Sequence, residues 1–79
     1  MSEVTNSLRA RWAFLCLRRF MQLTGCDIED ALCDLLGDLM HWAHQNGVEF
    51  DHELDRGRRH FVAELLEERG IATDYGRRS

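Results

Sequence analysis

Residues 34–47 read DLLGDLMHWAHQNG. Leu35, Leu36 and Leu39 return at helical spacing and Ala43 extends the series, which is the 3.6-residue period of an amphipathic helix with one face turned inward. Working backward, Asp27 supplies an N-cap and Glu29 and Asp30 place negative charge on the positive end of the helix dipole. Working forward, Gly47 ends the run. The spacing thus predicts a helix over 27–46 with Ile28, Leu32, Leu35, Leu36, Leu39 and Ala43 facing inward. At 100° per residue, Asp30, Asp34, Asp38, His41 and Gln45 gather on the opposite side.

The flanks read the same way. Thr5, Asn6 and Ser7 offer N-caps, no breaker interrupts Leu8 to Thr24, and Gly25 is a natural left-handed stop. This first helix, 6–24, is apolar except for a strip of Arg11, Arg18 and Gln22, so it is either central in the fold or covered by a second copy. A third helix over 51–69 is expected from Asp51 as cap, Leu54, Phe61 and Leu65 on one face, Val62 and Leu66 flanking, and Gly70 as stop. Gly57 costs helix propensity on that face, and its expected use is to let another helix come close. The short link QNGVEFD folds helices two and three into an antiparallel hairpin with Phe50 at the bend. The tail, 70–79, is expected to fray, with Ile71 and Tyr75 able to dock.

These elements make a single all-α, three-helix domain over 1–79. At 79 residues a lone core barely outweighs the entropy of ordering the chain, so a homodimer is expected. No apolar run approaches the roughly 18 residues of a membrane span and no secretion signal opens the chain, which points to the cytoplasm. Cys16, Cys26 and Cys33 form no CxxC pair, so reduced thiols are expected, buried by default, with Cys16 and Cys33 within helices. All 10 basic residues are arginine. None falls between Arg19 and Arg56, whereas nine of the 14 acids do, an asymmetry that serves a partner or is neutralised inside the fold.

Several chemistries can be weighed on this frame. His41 and His44 with Asp38 one turn back could touch a divalent ion, but the tight ligand spacings of structural zinc sites are missing, so no metal and no cofactor are expected. Helix two, a bend and an arginine-bearing helix three imitate a helix-turn-helix. A recognition helix, however, offers its first residues to a polyanion, and here those are Asp51, Glu53 and Asp55. Glu53/Arg56 and Asp55/Arg59 also have ion-pair spacing within one helix, and direct nucleic-acid binding is not expected. No glycine-rich elbow or phosphate loop accompanies the cysteines and histidines, so no nucleophilic centre is read. Trp12, Phe14 and Trp42 are taken as core or interface packing.

Residues 31–66, ALCDLLGDLMHWAHQNGVEFDHELDRGRRHFVAELL, resemble a group of short uncharacterised bacterial proteins, often carried on mobile elements, with a DLLxDLMHWxxxxGxxFxxxLxxxxxHFxxE pattern. More loosely, they are similar to the second half of the MazG-type all-α nucleoside triphosphate pyrophosphohydrolases. That resemblance implies magnesium held by an ExxE and an ExxD pair, and Asp38 matches the ExxD aspartate. Leu35 stands where its partner carboxylate belongs, and no acid occurs between Asn6 and Cys26. Several converging carboxylates are needed to fix magnesium against a triphosphate, so the resemblance implies a shared architecture without the catalyst.

The expectation is therefore a non-enzymatic module that binds a protein with a basic surface through Asp30, Asp34, Asp38 and His41, with Glu49 and Asp51 as outer contacts. The mobile-element resemblance implies an inhibitor of a host nucleic-acid-handling defence complex, such as an anti-CRISPR protein. The alternatives are a MazG-like nucleotide binder or hydrolase and a structural dimerisation protein.

Overall fold

The computed structural model describes residues 4–70. It is an all-α domain of three helices, α1 (Asn6–Thr24), α2 (Ile28–Gln45) and α3 (Phe50–Glu68), with no strand among the described residues. The tail residues Ile71 and Tyr75, expected to be able to dock, lie outside this range.

Local chemistry sets the helix ends. The Thr5 hydroxyl accepts the Leu8 amide at 3.1 Å, satisfying one of the donors that a helix start leaves unpaired. Gly25 takes φ 77° and returns its amide to the Met21 carbonyl at 2.7 Å, a left-handed stop that an L side chain resists. Asp27 has the extended backbone of a cap but makes no side-chain cap bond. The third helix corrects the expectation for Asp51. Glu49 holds the cap position, with its carbonyl accepting the Glu53 amide at 3.1 Å, and Asp51 falls inside the first turn, where the dipole still favours its charge. The hydrogen-bonding pattern of the backbone places a helix start, and capping propensity only biases it.

Packing corrects the expected inner faces more deeply. Among the described residues only Ala31, Ala43 and Ala63 are buried, with 0–2% of their surface exposed. Leu35, Leu65, Leu66 and Val62 turn inward by half. Ile28, Leu32, Leu36, Leu39, Leu54 and Phe61, assigned to inner faces by periodicity, remain exposed. Helix α1 has no buried residue, and Trp12, Phe14, Leu15 and Leu23 along it face water. The cause is geometric: the apolar arcs are wider than two neighbouring helices cover.

A polar clamp closes the chain. Asn6 Nδ2 donates to the Glu64 carbonyl at 3.1 Å and to Glu68 Oε1 at 2.7 Å. Arg9 donates to Asn6 Oδ1 at 2.8 Å and pairs through Nε with Glu64 Oε2 at 3.2 Å. The start of α1 is thereby held against the end of α3. Full burial of alanine has a measurable consequence. Ala31→Leu or Ala63→Leu is expected to lower the free energy of unfolding by about 1–3 kcal/mol through overpacking, whereas Gln22→Ala on the exposed strip stays within about 0.5 kcal/mol; denaturant titration of the three variants checks this.

Candidate functional site

Asp30, Asp34, Asp38 and His41 lie along α2 and all four side chains are exposed. With a rise of 1.5 Å per residue the row is about 17 Å long, one carboxylate per turn. The first turn of α2 adds Glu29, and beyond the helix Glu49 and Asp51 extend the exposed acids to the start of α3.

The row is bordered by α1. Phe20 and Thr24 share a shallow depression with Cys33, Asp34, Gly37, Asp38 and His41. Helix α1 thus flanks the acidic side of α2, while α3 lies along its apolar side, where Leu36 and Leu39 face Phe50, Leu54 and Phe61 across a groove.

Three of the arginines are engaged elsewhere. The ion pairs among the described residues are Arg9–Glu64, Arg56–Glu53 at 2.7 Å and Arg59–Asp55 at 3.6 Å. The last two have the spacing that local sequence predicts. At 3.6 Å Arg59 Nε is too far from Asp55 for a hydrogen bond and is otherwise unpartnered, so that pair is a charge contact only. None of Asp30, Asp34, Asp38, Glu49 or Asp51 takes part in an ion pair.

The other candidate chemistries find no assembled site. Among the described residues no group of three or more histidine, cysteine or acidic side chains could hold a metal ion, and no helix is long and apolar enough to cross a membrane. Leu35, the position where the MazG motif needs a carboxylate, is half-buried while Asp38 is exposed, and the leucine side chain offers no oxygen beside Asp38. The thiols correct the expectation of burial. Cys16 and Cys33 are exposed and only Cys26 is half-buried, because Cys16 lies on a side of α1 that no helix covers and Cys33 edges the acidic depression. Trp12, Phe14 and Trp42 are exposed and form no core.

Two features escape sequence reasoning. The Asn6–Glu64 contact joins residues 58 apart, and no local pattern announces it. The groove of Leu36, Leu39, Leu54 and Phe61 was readable only as apolar arcs, without a sign of which part stays open. Comparison with protein families, with curated proteins and with solved structures found no match to this chain. The thiol exposures give a direct check on the placement of α1 and α2: a thiol reagent added to the native protein is expected to modify Cys16 and Cys33 readily and Cys26 more slowly, read by mass spectrometry of labelled peptides.

Proposed function

We propose that the chain is a non-enzymatic, cytoplasmic protein-binding module whose acidic helix row captures a basic, nucleic-acid-handling surface of another protein. The observation that carries this reading is that Asp30, Asp34 and Asp38 are exposed and unpaired in a chain that carries 10 arginines. Exposed carboxylates without internal partners keep their field available to a stranger. Arranged as a line with one charge per about 6 Å of helix axis, they suit a basic groove that tracks a phosphate backbone, and complementary charge would steer the encounter. The resemblance of residues 31–66 to mobile-element proteins supports the narrower role of a phage or mobile-element inhibitor of a host defence complex, of the anti-CRISPR kind.

Capture from a lysate of the native host, with elution by salt, identifies the partner, and two triple variants test the row. Changing Asp30, Asp34 and Asp38 together to asparagine, or together to arginine, leaves helix propensity nearly unchanged or improved. Affinity is expected to fall at least tenfold for asparagine and further for arginine, with the wild-type complex weakening as salt rises. Equal affinity of the asparagine variant for the same partner overturns the reading. Thermal stabilisation by a nucleoside triphosphate that requires magnesium would instead favour the MazG-like alternative.

A further inference from the structure

We propose that two copies of this chain pair across the apolar groove between α2 and α3, with α3 of one copy crossing α3 of the other between Gly57 and Phe61. The groove is lined by Leu36, Leu39, Phe50, Leu54, Gly57 and Phe61, with Glu53 and Arg58 at its rim. Ile28 and Leu32 continue the same stripe along α2, four residues apart.

The first argument is area. Leu36, Leu39 and Leu54 are 38%, 41% and 44% exposed, Ile28 and Leu32 57% and 59%, and Phe61 61%. At on the order of 100 Å² or more for a fully exposed large aliphatic side chain and more for an aromatic one, these six leave about 300–500 Å² of apolar surface in water. A stable interface covers about 800 Å² per partner, roughly 65% of it apolar in homodimers. The stripe therefore supplies most of the apolar area that one side of a dimer needs.

The second argument is Gly57. In the middle of α3 it costs helix stability relative to alanine, and a methyl group built on it would meet nothing within 4 Å among the described residues. No described residue of the subunit makes use of the missing side chain. A helix from outside, lying close along the groove floor, does.

The occupant follows from self-complementarity. Phe61 is a protruding side chain one turn from the depression at Gly57 on the same helix, so a two-fold axis offers each knob a hole in the other copy. The rim carries both signs, Glu53 and an Arg58 that has no ion-pair partner among the described residues, so like faces meet without net repulsion. An interior of three alanines needs its cover whenever the chain is folded, which a second copy provides and a transient partner does not. This inference is independent of the acidic row, which lies on the other side of α2.

Sedimentation equilibrium of the full chain over a wide concentration range is the test. The expected mass is twice 9.3 kDa, dissociating on dilution, with a melting temperature that rises with concentration. Gly57→Leu adds a good helix former where the subunit has room, and Phe61→Glu changes a side chain already in water. Each is expected to weaken the dimer at least tenfold, and for Gly57→Leu the helical circular dichroism is retained at high protein concentration. A folded wild type of 9.3 kDa at every concentration, with a concentration-independent melt, overturns the proposal. So does a dimer that neither variant weakens, or a Gly57→Leu chain that melts higher with its mass unchanged.

Discussion

Three methyl groups are all that the described residues withdraw fully from water, and the rest of the architecture answers to that. Ala31, Ala43 and Ala63 are the buried positions, and no larger side chain joins them. Each contributes little burial, since a buried CH₂ is worth only about 0.8 kcal/mol. Large side chains such as Trp12, Leu32 and Phe61 stay exposed instead. Helix α1 buries none of its residues fully, and Leu36 and Leu39 of α2 look out over a groove rather than into a core.

With so little apolar burial, polar contacts at the ends take on the task of fixing the arrangement. The Asn6 and Arg9 side chains bind the last turns of α3 through Glu64 and Glu68, with the Arg9–Glu64 pair only a third and a fifth exposed on its two sides. Partial burial strengthens such bonds relative to pairs in open water. The clamp sets the course of α1 so that Phe20 and Thr24 border the acidic side of α2, and α3 is left to the apolar side. One helix thus separates two surfaces of opposite character.

How far the sequence discloses this depends on the range of the interaction. Helix number and ends are written locally: Thr5 and Gly25 act through atoms within four residues, and the Glu53/Arg56 and Asp55/Arg59 pairs need only helical spacing. The exposed row of Asp30, Asp34 and Asp38 is legible for the same reason. Which part of an apolar arc meets a neighbour is a property of the neighbour, so Leu32 and Leu35 look equivalent in sequence, yet one is exposed and the other half-buried. The small residue beside them, Ala31, is the one fully buried. Gly57 is the intermediate case: its presence on the apolar face signals a close approach, and only the folded structure reveals that no described residue of the subunit makes it.

The two surfaces of α2 bear on each other through the helix between them. At 100° per residue the Asp30–Asp34–Asp38 row and the Ile28–Leu32–Leu36–Leu39 stripe are centred roughly 155° apart. A dimer closed over the stripe would consequently turn both acidic rows outward, on opposite sides of the assembly, without burying a carboxylate or bringing the rows near enough to repel. Two rows on one particle double the field that steers a basic partner. Where that partner presents two basic sites, engagement of the first raises the effective concentration at the second. Pairing and capture would then be one design: the apolar side of α2 gives a short chain the burial its own interior lacks, and the same contact holds the charged side clear of the subunit and rigid enough to be recognised.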